Sequence, residues 1–346
     1  MDKQFWKGKR VFVTGHTGFK GAWLCLWLNL LGAKVSGYAL TPPTNPSLFD
    51  LARVGEIMAS NIGDVRDKEK LSAAIQTSDP EIIFHLAAQP IVRTSYQLPV
   101  ETFDINVMGT VNVLEAARGL KNLKAFVDIT TDKVYENLGN SQAYKESDPL
   151  GGYDPYASSK ACSELVASAY RTSFNLPVAT ARAGNVIGGG DWAADRLIPD
   201  FVRSILKNEP IRIRNPKATR PWQFVLEPLS GYLTLAEKLY REPAKYAQAW
   251  NFGPKPSDAK PVEWIVKLLT KKWPGSKYEI DKGKHPHEAA FLKLNWSKAQ
   301  KRLSWKPKLD LAEAIEWVLV WTRDFRDKKD LRATCLGQIS KYANLK

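Results

Sequence analysis

The sequence predicts an α/β fold in which a doubly wound parallel sheet is followed by a smaller α+β domain. Short apolar strands alternate with helical segments between residues 11 and 183, and a glycine-rich turn joins the first strand to the first helix. After residue 184 the loops lengthen, and Pro, Trp and basic residues become more frequent. Alternation of apolar strands with helices is typical of a parallel sheet that is covered by helices on both faces.

The alternation can be followed along the chain. Short apolar runs bounded by turn residues predict strands at 11–13, 34–40, 57–61, 81–87, 125–130 and 178–183. Helical segments are predicted at 21–31, 67–77, 101–118 and 155–173. We therefore predict a first domain over residues 1–183. Residues 184–346 mainly form the second, and we allow for the chain crossing back to the first domain around 220–252.

Composition excludes several classes of protein. The 346 residues are 44% hydrophobic and 25% charged, which is close to ordinary globular usage. A disordered, fibrous or small disulfide-rich protein is therefore not expected. Only three cysteines occur, Cys25, Cys162 and Cys335, and none has metal-like spacing, so we predict reduced cysteines in a cytoplasmic protein. The N-terminus does not resemble a signal peptide, and the apolar run 22–33 is too short to span a bilayer.

The net charge of +14 is concentrated in the second part of the chain. Residues 1–200 hold 20 Lys and Arg against 21 Asp and Glu, whereas residues 201–346 hold 30 against 15. Such a bias suits an anionic partner, which could be a phosphorylated small molecule, a nucleic acid or an acidic membrane. A solvated basic surface that serves solubility is the equally weighted alternative.

A glycine-rich loop, Thr14–Gly21, lies between the first strand and the first helix. Its glycines at G-x-x-G-x-x-G spacing allow a sharp turn and a close approach of the backbone to a pyrophosphate. The helix that follows offers free N–H groups and the positive end of its dipole. This context predicts a Rossmann-type dinucleotide site, whereas a tight turn that only packs helix on strand is the alternative.

The residues after the second and third strands bear on the choice of dinucleotide. The acidic residue expected to bind the adenosine ribose is missing, because Leu40 runs directly into a Pro-rich loop. No arginine occurs there to bind a 2′-phosphate, which favours NAD over NADP. Asp64 follows the third strand and is predicted to meet the adenine amino group, with a turn-capping role as the alternative.

Tyr156 and Lys160 open a helix after the fifth strand and share one face of it, because they are four residues apart. A lysine ammonium beside a phenol favours the phenolate, which can take a proton from a sugar hydroxyl. Thr131 ends the fifth strand at the carboxyl edge of the sheet, where ligands of open α/β sheets bind. Its hydroxyl is predicted to hold the substrate oxygen on which Tyr156 acts.

Together these motifs resemble the extended short-chain dehydrogenase/reductase family over essentially the whole chain. His85–Gln89 and Asn106–Thr110 match its fourth strand and the helix that follows, and Arg182–Asn185 matches the segment that crosses to the nucleotide-sugar domain. The resemblance implies a homodimer built from the helices at 101–118 and 155–173.

Within that family the chain looks most like the sugar-nucleotide 4,6-dehydratases, and among them those acting on CDP-glucose. The resemblance lies in Thr131–Lys133 and in the segments 16–21, 42–49, 151–156, 184–192 and 220–223. It implies NAD-dependent conversion of CDP-glucose to CDP-4-keto-6-deoxyglucose, a step of deoxysugar biosynthesis such as that of lipopolysaccharide O-antigen. The chain departs from the pattern at 140–143, where a Trp-rich stretch is usual.

The predicted site residues fall into three groups. Catalytic roles are predicted for Thr131, Asp132, Lys133, Tyr156 and Lys160. Cofactor binding is predicted for Gly15, Thr17, Gly18, Phe19, Gly21, Asp64, Val65, Leu86, Ala87, Ala88, Tyr156 and Lys160. Substrate binding is predicted for Gln89, Asn185, Arg214, Arg220, Trp222 and His287, with Trp222 equally able to be core. The loop 285–288 holds two histidines and a glutamate, and we predict a loop at the substrate edge rather than a metal site.

Other functions are also compatible with the sequence. Another nucleotide-sugar 4,6-dehydratase shares all of these motifs. A nucleotide-sugar 4-epimerase or decarboxylase is a second possibility, although an epimerase needs neither Asp132 nor Lys133. The distant alternative is a non-catalytic NAD-binding regulator or nucleic-acid-binding protein, against which the intact Tyr156 and Lys160 argue. The prediction is of no nucleic-acid or membrane partner.

Overall fold

A computed structural model describes residues 2–137, 143–281, 283 and 292–345. Its strands are β1 (Arg10–Thr14), β2 (Lys34–Ala39), β3 (Ala59–Ile62), β4 (Ile82–His85), β5 (Ala125–Ile129), β6 (Val178–Ala183), β7 (Val186–Ile187), β8 (Ile211–Ile213), β9 (Thr219–Pro221), β10 (Gln223–Phe224), β11 (Ala249–Phe252), β12 (Ala259–Pro261) and β13 (Tyr278–Ile280).

Helices connect and cover these strands. They are α1 (Lys3–Trp6), α2 (Phe19–Leu30), α3 (Leu48–Leu51), α4 (Lys68–Ser78), α5 (Val92–Gln97), α6 (Pro99–Phe103), α7 (Gly109–Arg118), α8 (Pro155–Phe174), α9 (Leu197–Lys207), α10 (Leu226–Arg241), α11 (Pro243–Tyr246), α12 (Val262–Lys272), α13 (Ser297–Leu303), α14 (Leu311–Arg326) and α15 (Leu331–Asn344). Among the described residues, no helix is both long and apolar enough to cross a bilayer.

A parallel sheet forms the centre of the molecule, with strand order β11-β6-β5-β4-β1-β2-β3. The predicted doubly wound α/β fold is therefore confirmed. Its seventh strand, β11, comes from residues after 183 and pairs with β6, so this part of the chain returns to the first sheet. The domain division at residue 183 stays a prediction.

Alternate residues of the strands face two separate apolar layers. Val11, Val13 and Phe84 pack with the large core that contains α2, α10, α14 and α15. Phe12, Ile83, Phe126 and Val178 pack instead against α4, α7 and α8. Since successive side chains of a strand point to opposite faces, both faces of the sheet are buried, as the continuously apolar strands predict.

The long helix predicted at 101–118 is interrupted in the structure. It runs from α6 through a π-helical turn at Asp104–Met108 into α7. Asn106 lies in that turn, is fully buried, and accepts a hydrogen bond from the backbone N–H of Gln89 at 2.8 Å. It also donates one to Ser159 Oγ on α8 at 2.9 Å. The turn therefore ties the loop after β4 to the helix that carries Tyr156 and Lys160.

Candidate active site

The glycine loop forms a concave backbone surface, which a side chain at Gly15 or Gly21 would fill. Gly15 has φ +73°, and a Cβ there would lie 2.7 Å from the backbone nitrogen of Ala87. A Cβ on Gly21 would lie 2.1 Å from the carbonyl oxygen of Gly15. Gly18 caps α2, so the free N–H groups of that helix face the loop. Backbone can thus approach a bound pyrophosphate closely, and the loop fits the dinucleotide that the sequence predicts.

The loop is held against the end of β4 by a buried hydroxyl. Thr14 Oγ1 accepts hydrogen bonds from the backbone N–H groups of Leu86 and Ala87, each at 3.1 Å, and lies 2.7 Å from His85 Nδ1. Leu86, Ala87 and Ala88 therefore run directly beside Gly15. This places the three residues predicted to bind the cofactor next to the glycine loop.

His16 stands between the glycine loop and the second strand, and the sequence analysis gave it no role. The side chain is buried, and its Nε2 lies 2.7 Å from Ser60 Oγ on β3. Burial lowers the pKa of His16 to about 4, so the imidazole is neutral at pH 7. A Cβ on Gly37 would lie 2.6 Å from His16 Nδ1, so β2 must carry a glycine there. The glycine motif predicts a phosphate-binding loop, but it does not predict that His16 packs against β2 and β3.

Asp64 forms an ion pair in the structure. Its carboxylate accepts hydrogen bonds from Arg66, of which the shortest is 2.6 Å, and these bonds hold the pKa of Asp64 below its ordinary value. Arg66 also lies within 4 Å of Glu101 and Asp104. Val65 is buried against Gly109, where a Cβ would lie 2.8 Å away. The adenine contact of Asp64 stays a prediction.

The Tyr156–Lys160 pair lies in the first turns of α8. Asp154 caps this helix by accepting a hydrogen bond from the backbone N–H of Ala157 at 2.9 Å, and Pro155 is its first residue. Tyr156 is half-buried, whereas Lys160 is only 2% exposed. The start of the helix therefore leaves Tyr156 partly accessible and buries Lys160 one turn further along α8.

Thr131, Asp132 and Lys133 form a short turn that packs on α8. Asp132 Oδ1 lies 3.1 Å from Thr131 Oγ1 and 3.3 Å from Lys133 Nζ. Asp132 is 1% exposed, and within the described residues its Oδ2 has no hydrogen-bond partner. A Cβ on Gly184 would lie 2.9 Å from that oxygen. A carboxyl group with one unengaged oxygen therefore lies beside an amine, which is an arrangement suited to acid–base chemistry.

Lys20 also belongs to this region, although the sequence analysis assigned it no role. Burial, together with the charges of Arg196 and Lys160, lowers the pKa of Lys20 to about 8, and the charges of Asp132 and Asp191 oppose this shift. The first turn of α2 therefore brings a third amine close to Asp132. The only signal in the sequence is a lysine inside a motif whose other residues are small or apolar.

The predicted substrate residues are dispersed around the cleft. Arg214 donates a hydrogen bond to Asp195 Oδ1 at 2.7 Å, and Arg93 of α5 donates one to the same oxygen at 3.2 Å. Arg220 is buried on β9 and Asn185 is half-buried. The whole loop 285–288, with His287, lies outside the described residues, as do residues 140–142 of the departure from the dehydratase pattern.

Two of the predicted substrate residues are engaged by the protein itself. Gln89 Oε1 accepts a hydrogen bond from the backbone N–H of Ile91, and its Nε2 donates to Thr102 Oγ1 at 2.9 Å. Trp222 is 5% exposed, lies in the large core, and donates to the carbonyl oxygen of Lys260 at 3.3 Å. The core alternative for Trp222 fits this packing. Contact of either residue with substrate stays a prediction.

Comparison with known proteins decides the family. The model of the GDP-mannose 4,6 dehydratase family matches residues 12–318. The chain belongs to this family. A CDP-glucose 4,6-dehydratase of Salmonella typhimurium is 52% identical over 352 residues, covering 99% of this chain and 98% of the relative.

Solved structures show the same fold at lower identity. A dTDP-glucose 4,6-dehydratase from Bacillus anthracis in complex with NAD superposes with a TM-score of 0.78 at 22% identity, covering 93% of this chain and 99% of that one. A UDP-glucuronic acid 4-epimerase from Bacillus cereus, in complex with UDP-glucuronic acid and NAD, gives 0.79 at 24% identity, with 91% and 99% covered. This dTDP-glucose 4,6-dehydratase and this UDP-glucuronic acid 4-epimerase therefore share the fold of the present chain.

Proposed function

We propose that this protein is an NAD-dependent sugar-nucleotide 4,6-dehydratase, a hydro-lyase, and that its substrate is CDP-glucose. The observation that carries the proposal is the buried Asp132 carboxyl group, with its unengaged Oδ2, beside the Lys133 amine and the Tyr156–Lys160 helix. The Salmonella relative at 52% identity, which is named for CDP-glucose, supports the choice of nucleotide.

The cofactor site fits NAD. The glycine loop, the residues after β4 and Lys160 would hold it, with Gly15 and Gly21 leaving the space that a Cβ would fill. When bound, NAD would supply the hydride acceptor for C4 and the hydride donor for C6. All remaining steps are proton transfers, which the side chains of this chain perform.

Three side chains share those transfers. Tyr156, as phenolate, takes the proton of the 4-hydroxyl while Thr131 holds the same oxygen. The resulting 4-ketone acidifies the hydrogen on C5, and Lys133 removes it. Asp132 gives a proton to the 6-hydroxyl, which leaves as water. Afterwards Lys133 returns the proton to C5, and the proton that Tyr156 took replaces the one that Asp132 gave, so the balance is loss of one water with no net oxidation.

A nucleotide-sugar 4-epimerase is the second candidate, because the Bacillus cereus epimerase has the same fold. Epimerisation returns the hydride to C4 and eliminates no water, so it has no use for Asp132 or Lys133. In this structure both are held in place, since Asp132 is buried and bonded to Lys133 at 3.3 Å. That arrangement favours the dehydratase.

The experiment separates oxidation from elimination. Purified protein is incubated with CDP-, dTDP-, UDP- and GDP-glucose, and loss of water is followed by mass. We expect water loss with CDP-glucose. Tyr156→Phe should abolish formation of reduced cofactor, whereas Lys133→Ala should still oxidise C4 and accumulate reduced cofactor without product. Losses of about 10²–10⁴-fold are expected for each. Near wild-type water loss by a Lys133→Ala, Asp132→Asn double variant would move the epimerase to first place.

We further propose that the protein is a homodimer. The helices from α5 to α8 expose a group of large apolar side chains, which comprises Leu98, Val100, Phe103, Met108, Leu165 and Phe174. Val100 is 82% exposed and Leu165 is 59% exposed. Apolar surface of this extent typically marks an interface. Light scattering at micromolar concentration should give twice the mass of the chain, and a monomeric mass would contradict the proposal.

A further inference from the structure

A layer of buried charged side chains lies between α8 and the carboxyl ends of β5 and β6. Lys160 is 2% exposed, Glu164 4%, Arg182 3% and Asp128 0%. Two are cations and two are anions, so their formal charges balance. Because a buried charge is costly unless it is paired, the pairing within this layer decides how Lys160 is stabilised.

Glu164 and Arg182 satisfy each other. Arg182 Nε donates to Glu164 Oε1 at 2.8 Å, and its second guanidinium nitrogen donates to Oε2 at 2.9 Å. Each carboxylate oxygen also accepts a hydroxyl at 2.6 Å, from Thr130 and from Thr180. Both oxygens of Glu164 are thus fully engaged, and its charge is matched by Arg182 rather than by Lys160.

Asp128 is the remaining anion. Its Oδ2 accepts a hydrogen bond from Ser163 Oγ at 2.9 Å, and Ser163 lies three residues after Lys160 on α8. Within the described part of the chain, Asp128 Oδ1 has no hydrogen-bond partner. Burial raises the pKa of Asp128, the charge of Lys160 is the largest influence that opposes this, and Glu164 raises it further.

Two further titratable groups that interact with Lys160 supply no negative charge. His85, on β4, lies between Thr14 Oγ1 at 2.7 Å and Thr110 Oγ1 at 3.1 Å. Burial, assisted by the charge of Lys160, lowers the pKa of His85 to about 3, so this residue is neutral. Lys20, on α2, carries a positive charge that repels Lys160.

We propose that Asp128 is a positioning residue that supplies the buried counter-charge of Lys160 and so keeps the ammonium in place beside Tyr156. The proposal rests on the catalytic role proposed above for Lys160. It gives β5 a second function, because the strand that ends in Thr131 and Asp132 also carries the anion that stabilises the Tyr156–Lys160 pair. Asp128 is not among the site residues that the sequence predicts.

The first test is the pH profile of Asp128→Asn, which keeps the shape of the side chain and an acceptor for Ser163. Without the anion, Lys160 loses its proton more easily, so the alkaline limb of kcat/KM should move to lower pH by about one unit or more. Ser163→Ala is the matched control, because it removes the hydrogen bond to Asp128 and keeps the charge of Asp128. The alkaline limb of kcat/KM should not move in this variant. Asp128→Glu should restore the wild-type limb at least in part.

The second test does not depend on activity. Melting temperatures are measured for Asp128→Asn, Lys160→Met and the double variant. If the two charges are paired, each single variant leaves an uncompensated buried charge, and the double variant loses less than the sum of the single losses. If Asp128→Asn alone does not fold, adding Lys160→Met should restore folding.

The outcomes separate the two proposals. Additive losses of melting temperature, or no rescue of folding by the double variant, would overturn the pairing itself. Coupled losses together with an unmoved alkaline limb in active Asp128→Asn protein would overturn the positioning role and the catalytic role of Lys160 on which it rests. Non-additive losses of melting temperature, together with an alkaline limb of kcat/KM that moves in Asp128→Asn but not in Ser163→Ala, would support both the pairing and the positioning role.

Discussion

Replacing Arg182 by methionine should destabilise the protein, and more at pH 7 than at pH 5. Arg182 donates two hydrogen bonds to Glu164 and a third to Tyr135 Oη at 2.8 Å. Burial acts to raise the pKa of Glu164, but the hydrogen bonds and the charge of Arg182 outweigh it and hold the pKa below its ordinary value. The variant leaves this carboxylate with only the two threonine hydroxyls.

The expected fall in the melting temperature of Arg182→Met follows from the burial of the ion pair and from the chain length. Removing one partner of a buried ion pair costs about 3–5 kcal/mol. With an entropy of unfolding of about 2.1 cal/mol/K per residue, the 346 residues give about 0.7 kcal/mol/K, so the melting temperature should fall by about 4–7 °C at pH 7.

The pH dependence has a definite sign. In the variant, burial outweighs the two remaining threonine hydrogen bonds and lifts the pKa of Glu164 above the unfolded value of about 4.3. Stability is then lost as the pH rises from the unfolded pKa towards the folded one, because the folded state binds more protons in that range. The loss should therefore be smaller at pH 5 than at pH 7.

Differential scanning calorimetry at both pH values measures this effect. Arg212→Met is the matched control, because the Arg212 side chain is 78% exposed and pairs with Glu279 at the surface. Its melting temperature should change by about 1 °C or less. An Arg182→Met loss that is equal at the two pH values, or no larger than that of the control, would refute the reasoning.

Three further predictions concern other sites. Gly15→Ala should abolish NAD binding, because φ is +73° and the new Cβ would meet the backbone of Ala87. Calorimetric titration measures the binding. Gly119→Ala is the control, since its Cβ would meet nothing closer than 3.8 Å, and this variant should bind NAD normally. Burial raises the pKa of Glu227 to about 7, so stability measured by urea unfolding should fall from about pH 4.5 to 7, and Glu227→Gln should flatten that fall. In Gly184→Ala the new Cβ would lie 2.8 Å from Pro221 Cγ and 2.9 Å from Asp132 Oδ2, so the Asp132 carboxyl group should be displaced and kcat lowered; an unchanged kcat would contradict this placement.

The sequence predicted what depends on local pattern. Apolar runs bounded by turn residues placed strands β1 to β6 to within a few residues. Burial on both faces leaves a continuous apolar signal in the inner strands, whereas β3 at the edge of the sheet is exposed. The strand β11 was not identified, since its four residues resemble many short apolar segments and its partner β6 lies far away in the sequence. The π-helical turn at Asp104–Met108 was also unpredicted, because its cause is the tertiary hydrogen bonding of Asn106.

The same division applies to the candidate site. Tyr156, Lys160 and the glycine loop were found because their spacing alone brings them to one helix face or one turn. Lys20, His16 and Asp128 were not, because the sequence does not show which side chains a fold buries together. Glu164 lies on the helix face of Tyr156 and Lys160, but its partner Arg182 comes from a different strand.

The pairing of β11 with β6 has a consequence for the way the chain can be divided. A fragment ending at residue 183 would contain every residue proposed to catalyse, yet the outer edge of β6 would have lost the partner that Ala249–Phe252 provides. All six residues of β6 are buried in the full chain, so this fragment would present an edge strand with unpaired backbone groups to solvent. Open edges of this kind recruit strands from other molecules. We expect the isolated fragment to aggregate. During synthesis, the ribosome must release residues up to 252 before β11 can pair with β6.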